Sequence, residues 1–134
     1  MATECFSIEM AVRDYECDLQ GVVNNAVYQN YLEHARHEYL KSIGINFAAL
    51  AAQKINLVVV RVEIDFKAPL TSGDHFVVEV RPEKLSPVRI GFRQAIYRLP
   101  DRKVAIQAQV IGTALNVRGR PQVLPELEER MAAG

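Results

Sequence analysis

Residues 24–44 read NNAVYQNYLEHARHEYLKSIG, and this stretch decides the fold. Its apolar and aromatic side chains recur every three or four positions, which is the period of one buried face of an α-helix. The members of this stripe are Tyr28, Tyr31, Leu32, Ala35, Tyr39 and Ile43. Asn24 or Asn25 is suited to cap the start of a helix, and Gly44 is suited to the left-handed residue that ends one. The pattern therefore predicts an amphipathic helix of about five turns over residues 26–43.

On both sides of this helix the period changes to two, which is typical of half-buried β-strands. Strands are predicted over residues 5–12, 56–66, 75–83, 89–99 and 104–117, with a short helix over 47–53 and one or two helical turns over 125–131. No helix separates the last four strands, so we expect them to pair as successive antiparallel hairpins. The predicted fold class is α+β, with a five-stranded antiparallel sheet packed against the long helix. The free edges of such a sheet favour dimerisation by edge pairing.

The composition is that of one globular domain over residues 1–134, with 49% hydrophobic and 24% charged residues. Sixteen basic and sixteen acidic residues give no net charge, which argues against a nucleic-acid partner. No apolar run approaches the length of a membrane span, so no membrane association is expected. Cys5 and Cys17 lack the spacing of a zinc site, and we expect reduced thiols in a cytoplasmic protein.

The loop before the long helix places a carboxylate close to a helix N-terminus. Asp18 precedes Asn25 by a few residues. Free backbone N–H groups at a helix start can hold a developing negative oxygen, and a nearby carboxylate can attack a carbonyl or activate water. Such a pair is a minimal site for acyl transfer. Asp and Asn before a helix are more often turn formers and caps, so the spacing alone leaves both interpretations open. Asp14 and Glu16 are expected to be solvated loop charges.

Three segments carry a resemblance to a known family. Residues 18–25 read D-x-x-G-V-V-N-N, residues 28–36 read Y-x-x-Y-L-E-H-A-R, and residues 66–74 read FKAPLTSGD. These motifs and the element order resemble the hotdog-fold thioesterases of the 4-hydroxybenzoyl-CoA type. The runs VRDYE and GVVNNAVY are similar to the plant acyl-lipid thioesterases, which act on acyl-ACP. The resemblance implies a hotdog fold, in which the sheet wraps around the long helix, and hydrolysis of an acyl-CoA or acyl-ACP thioester to a free acid and a thiol.

The resemblance also implies roles for individual residues. Asp18 matches the catalytic Asp, as nucleophile or general base, and the backbone N–H of Asn25 matches the oxyanion donor. Many relatives have His or Tyr at the position of Asn25, so a side-chain role there stays open. The implied substrate-binding residues are Gly21, Tyr28, Tyr31, Glu33 and Arg36. No metal and no cofactor are implied. The implied assembly is a homodimer, with the active site at its interface, that forms a homotetramer.

Two other functions stay open at this point. A hotdog dehydratase or hydratase uses His with Asp or Glu to move a proton at carbon, but Asn25 occupies the likely position of that His. A non-catalytic protein that binds acyl thioesters is the second alternative, because a fold does not fix a function. His34 and His37 have helical spacing, and such pairs are more often surface residues than metal ligands.

Overall fold

A computed structural model describes residues 5–133 of the chain. In chain order the elements are β1 (Phe6–Ala11), a 3₁₀ turn (Asp14–Glu16), α1 (Asn25–Ser42), α2 (Phe47–Ala52), β2 (Asn56–Phe66), β3 (His75–Ser86), β4 (Arg89–Leu99), β5 (Lys103–Leu115), β6 (Pro121–Gln122) and α3 (Pro125–Ala133). The predicted long helix, short helix and five strands are all confirmed to within a few residues. The two-residue strand β6 was not predicted. None of the helices within residues 5–133 combines the length and the apolar character needed to cross a membrane.

The ends of α1 are fixed by the residues that the sequence singled out. Asn24 is the N-cap, and its side chain accepts a hydrogen bond from the N–H of Ala26 at 2.9 Å. Gly44 has a φ of +86°, the left-handed conformation that glycine adopts without strain. The N–H of Ile45 then donates to the carbonyl of Leu40, which closes the last turn. The capped helix therefore presents its N-terminus at a defined point of the fold.

The sheet has the strand order β1-β3-β4-β5-β2, with β6 beside the end of β5. All pairings are antiparallel, and β3–β4 and β4–β5 are the predicted hairpins. The expectation that β2 and β3 also form a hairpin is wrong, because β2 pairs with β5 and β3 pairs with β1. The connection 67–74 bonds elsewhere: the N–H of Lys67 donates to Ala105, and the carbonyl of Leu70 accepts from Val23. These contacts carry the chain from the edge strand β2 to the inner strand β3 in the other half of the sheet, past the N-terminal end of α1.

The core lies between α1 and one face of the sheet. The helix buries the side chains of Tyr28, Tyr31, Leu32, Ala35, Tyr39 and Leu40. They face the inward residues of β3, namely Phe76, Val78 and Val80, each of which has no exposed surface. Fully burying one large apolar side chain stabilises a fold by about 1.5–3 kcal/mol, so this interface is a major source of the stability. Helix α3 adds Leu127 and Met131 to the same core, so the helical turns predicted over residues 125–131 pack against the rest of the fold.

Candidate active site

The segment that carries Asp18 is a short closed loop. Cys17 and Val23 face each other in an antiparallel bridge. The N–H of Asp18 donates to the carbonyl of Val22 at 2.9 Å, and the N–H of Gly21 donates to the carbonyl of Asp18 at 3.0 Å. Gly21 has a φ of +81°, and a Cβ there would meet nothing within 4 Å. Glycine is therefore required by the backbone conformation, while the space beside it is open.

The carboxylate of Asp18 is exposed and oriented by its own loop. Its Oδ1 accepts hydrogen bonds from the N–H groups of Gln20 at 2.8 Å and Val22 at 3.4 Å. Among residues 5–133, no group donates a hydrogen bond to Oδ2. Oδ1 of Asp18 therefore stabilises the turn before the helix, whereas Oδ2 is free to act on a ligand.

The N-terminus of α1 begins directly after this loop. The N–H of Asn24 donates to the carbonyl of Glu16 at 3.0 Å, so the two ends of the loop are bonded together at the helix start. The next two helical N–H groups, of Ala26 and Val27, both bond to Asn24. Within the described part of the chain, the N–H of Asn25 has no acceptor. A free N–H at a helix N-terminus, aided by the helix dipole, is a donor for an oxyanion.

Glu16 anchors the loop to the core, which the sequence reasoning missed. Its Oε1 accepts hydrogen bonds from the hydroxyl of Tyr31 and from the N–H of Arg13, both at 2.8 Å. Tyr31 is buried, and burial together with the carboxylate of Glu16 raises the pKa of this hydroxyl, which stays protonated. The expectation that Glu16 is a solvated charge is therefore wrong. The sequence carries no signal for this role, because Arg13 has no side-chain acceptor to complete a capping box with Glu16, and Tyr31 lies 15 residues further along the chain.

Tyr28 fixes the other side of the same loop. Its hydroxyl accepts a hydrogen bond from the N–H of Leu70 at 2.9 Å, and its ring packs edge-on against Phe66 at 5.8 Å. Val22 and Thr71 form a further antiparallel bridge between the loop and the connection 67–74. Tyr28 and Tyr31 are both buried, with their hydroxyls bonded inside the protein. Their contacts therefore hold the backbone around Asp18.

Glu33 and Arg36 lie further along α1, at the wall of a cavity of about 410 Å³ between α1, α2 and the sheet. Arg36 is half-buried and donates from Nη1 to Oε1 of Gln94 at 3.0 Å. Glu33 is exposed, and its Oε1 lies 3.8 Å from Nε2 of His37. Neither Asp18 nor Asn25 lines this cavity. Gln94 is a buried polar residue on β4 that sequence reasoning missed, because it occupies an apolar-facing position in an alternating strand.

Other reactive groups near the loop are poorly suited to catalysis. Burial and the nearby carboxylate of Asp14 raise the pKa of the Cys17 thiol, which disfavours the nucleophilic thiolate. The carboxylate of Asp14 accepts a hydrogen bond from the hydroxyl of Ser72. Across the described residues 5–133, no three side chains of His, Cys, Asp or Glu come together as metal ligands. Asp14 and Asp18 each keep one carboxylate oxygen without a donor among residues 5–133, and Asp18 is the one that lies in the closed turn leading into α1.

Comparisons with known proteins agree with the resemblance seen in the motifs. The sequence pattern of the thioesterase-like superfamily matches residues 12–133. The chloroplastic acyl-acyl carrier protein thioesterase ATL3 of Arabidopsis thaliana is 43% identical over 123 residues, which are 92% of this chain and 65% of ATL3. The related chloroplastic thioesterase ATL2 is 45% identical over 118 residues, 88% of this chain and 63% of ATL2. The chain spans slightly less than two thirds of the length of each relative.

A solved structure supports the fold independently. A 1,4-dihydroxy-2-naphthoyl-CoA thioesterase from Synechocystis superposes with a TM-score of 0.90 over 97% of this chain and 96% of that chain. The two sequences are 20% identical, so this likeness concerns the fold alone. The predicted hotdog fold is confirmed, and the chain belongs to the thioesterase-like superfamily.

Proposed function

We propose that this protein hydrolyses an acyl-CoA or acyl-ACP thioester to a free acid and a thiol. The observation that carries the proposal is the hydrogen bond from the N–H of Asn24 to the carbonyl of Glu16. It ties the loop of Asp18 to the start of α1, where the N–H of Asn25 is free within the described chain. A carboxylate and an oxyanion donor on neighbouring, fixed backbone are the two groups that thioester hydrolysis requires.

Asp18 acts in one of two ways. As a nucleophile, its free Oδ2 adds to the thioester carbonyl carbon, the C–S bond breaks, and the thiolate takes a proton as it leaves. Water then cleaves the resulting anhydride to the acid and the restored carboxylate. As a general base, Asp18 removes a proton from water while the water oxygen adds to the same carbon; the C–S bond then breaks, and the leaving thiolate takes the proton from Asp18. In both routes the N–H of Asn25 donates to the carbonyl oxygen as it becomes negative.

The remaining predicted site residues have two kinds of role in this proposal. Gly21, with open space at its Cα, leaves room for the thioester beside Asp18. Tyr28 and Tyr31 hold the loop through their hydroxyls and wall the site with their rings. Glu33 and Arg36 contact the acyl portion, because both lie on the cavity that runs along α1. The relatives' names include both acyl-ACP and acyl-CoA substrates, and either carrier fits the proposal.

A homodimer that assembles into a homotetramer is part of the same proposal. The edge strand β2 exposes apolar side chains on the face that elsewhere packs against α1: Val59, Val62 and Phe66 are 48%, 39% and 52% exposed. An apolar strip beside a free strand edge is suited to cover by a second copy of the chain. Such pairing would bring the active site to the subunit interface. The cytoplasmic location stays a prediction, and the two Arabidopsis relatives are chloroplastic.

The test is thiol release from a chain-length panel of acyl-CoA and acyl-ACP thioesters. We expect turnover by the wild type and a loss of about 10²-fold or more in kcat for Asp18→Asn, the size expected for acid–base catalysis. Asp14→Asn is the matched control, because Asp14 is a second exposed carboxylate in the same loop. Its kcat should stay close to that of the wild type.

The outcomes separate the candidate functions. Unchanged turnover in Asp18→Asn would reject the role of this carboxylate. A wild type that binds acyl thioesters without releasing thiol would instead favour a non-catalytic binding protein.

A further inference from the structure

The lining of the cavity along the second half of α1 is mostly apolar, and its polar side chains are those of Glu33, Arg36, His37, Asn56 and Thr113. Its apolar walls come from three helices and the sheet, through Leu40, Phe47, Leu50, Leu57, Phe92 and Leu127. Its volume of about 410 Å³ lies in the range of pockets that enclose small ligands. Arg36 is half-buried in this wall. His37 also lines the cavity, but its side chain is exposed and lies beside Glu33.

The guanidinium of Arg36 has unused hydrogen-bonding capacity. A guanidinium carries five N–H donors, and in the described residues one of them is used, by Oε1 of Gln94. Gln94 is 4% exposed and is itself held, because its Nε2 donates to the carbonyl of Leu32 at 3.0 Å. Gln94 is neutral, so this bond orients the guanidinium without balancing its charge. A half-buried charge that lacks an ionic partner favours a ligand of opposite charge.

The nearest carboxylate does not supply that partner. Within residues 5–133, no Asp or Glu oxygen lies within 4.0 Å of Arg36. The carboxylate of Glu33 is directed to His37 instead, at 3.8 Å. Burial lowers the pKa of Arg36 and Glu33 opposes that shift, and a guanidinium stays protonated under these conditions. The cavity therefore combines an apolar interior with a fixed, charged and unpaired fork of donors.

We propose that this cavity binds an aliphatic carboxylic acid, with the alkyl chain between the apolar walls and the carboxylate on the guanidinium of Arg36. Planar guanidinium and carboxylate groups pair through two parallel hydrogen bonds, which suits the donors that Gln94 leaves free. The carboxylate lies away from the Asp18 loop of the same chain, because Arg36 is eleven helical positions beyond Asn25, a rise of about 16 Å. The inference rests on the proposed function, in which the same cavity receives the acyl portion of the substrate, and it adds a free acid held by Arg36.

The test is direct binding of decanoate, below its micelle concentration, by calorimetry with the full chain. Decanol is the matched ligand, because it has the same chain without the charge. We expect the wild type to bind decanoate more tightly than decanol. Arg36→Met should weaken decanoate binding by roughly 30-fold or more, as expected when one partner of a buried ion pair is removed, and should leave decanol binding nearly unchanged.

Three variants sharpen the result. Arg93→Met is the matched control, because Arg93 is an exposed arginine of β4 and does not line the cavity; it should bind decanoate like the wild type. Glu33→Gln removes a negative charge near Arg36 that would repel the carboxylate of decanoate, so this variant should bind decanoate more tightly. Leu50→Trp fills the cavity and should weaken the binding of both ligands.

The outcomes are decisive in either direction. Equal affinity of the wild type for decanoate and decanol would overturn the proposal without any variant, so a folding defect in Arg36→Met cannot protect it. Equal decanoate binding by Arg36→Met and the wild type would also overturn it. Asp18→Ala should bind decanoate like the wild type. Because Asp18→Ala should lose turnover without losing decanoate binding, the hydrolase proposal and this proposal fail on different measurements.

Discussion

The two halves of α1 bury similar aromatic side chains but use their polar atoms differently. In the first half, the hydroxyl of Tyr28 accepts a hydrogen bond from the N–H of Leu70, and the hydroxyl of Tyr31 donates to the carboxylate of Glu16. Both bonds hold the backbone beside the Asp18 loop. In the second half, the hydroxyl of Tyr39 is buried without a partner in the described residues. The comparison indicates that the first half is organised to hold a loop in place. The second half contributes mainly packing and the wall of a cavity.

This difference follows from what each half contacts. The N-terminal half of α1 faces two irregular segments, 13–24 and 67–74, whose backbone groups need partners outside a sheet ladder. The C-terminal half faces the regular strands β3 and β4, where the ladder already satisfies the backbone. The tyrosine hydroxyls in the N-terminal half of α1 are therefore hydrogen-bonded, whereas that of Tyr39 in the C-terminal half has no partner among the described residues.

The largest expected difference between the halves comes from removing single hydroxyls. Tyr31→Phe should lower the free energy of unfolding by about 1.5–3 kcal/mol, because it removes a hydrogen bond to a charged group. Tyr39→Phe should be neutral or stabilising, because it removes a buried hydroxyl that has no partner among the described residues. Urea denaturation of both variants measures the difference. Equal losses in the two variants would contradict the comparison.

The next effect concerns the backbone conformation of the loop. Gly21→Ala should lower the free energy of unfolding by about 1–2 kcal/mol, because φ is +81° at this position. Gly119→Ala is the matched control, since Gly119 also has a positive φ, +74°, and open space for a Cβ. Both variants should lose similar stability in thermal or urea denaturation. Thiol release should fall with Gly21→Ala alone, and a parallel fall with Gly119→Ala would argue against a special role for the Asp18 loop.

A smaller effect compares the caps of two helices. Asn24 caps α1 at the loop, and Asn46 caps α2 at the cavity through a hydrogen bond from Ala49 at 3.1 Å. Replacing either by Ala should cost about 1 kcal/mol of stability. Asn24→Ala should also reduce kcat, because the cap positions the N–H of Asn25. An equal reduction of kcat in Asn46→Ala would contradict a catalytic role that is specific to the first turn of α1.

The smallest effect is the pH dependence of stability at alkaline pH. Burial and Glu16 raise the pKa of Tyr31 above its ordinary value of about 10. Stability from a raised pKa is fully present below the unfolded value and is lost as the pH rises toward the folded value. The free energy of unfolding should therefore fall above pH about 10. Tyr31→Phe should fall less steeply, while the remaining slope comes from Tyr28 and Tyr39, whose pKa values burial also raises. Parallel slopes in both proteins would contradict this assignment.

The sequence was sufficient for elements whose signals are local. Three features of α1 depend only on residues within a few positions of each other: its period, its cap at Asn24 and its end at the left-handed Gly44. Such short-range patterns can be recognised in the sequence without knowledge of the tertiary structure. The same holds for the alternation of Phe76, Val78 and Val80 on β3. The strand order was partly wrong, because the pairing of β2 with β5 rather than β3 depends on contacts between distant segments.

What the sequence by itself determined is the set of helices and strands and, through its motifs, the family and the Asp18 loop. The tertiary structure alone decided that Glu16 anchors this loop through Tyr31, and that Gln94 orients Arg36 at a cavity. The physical reason is that a charged or polar side chain is solvated or buried according to what packs over it. Partners 15 and 58 residues apart in the chain leave no periodic trace in the sequence.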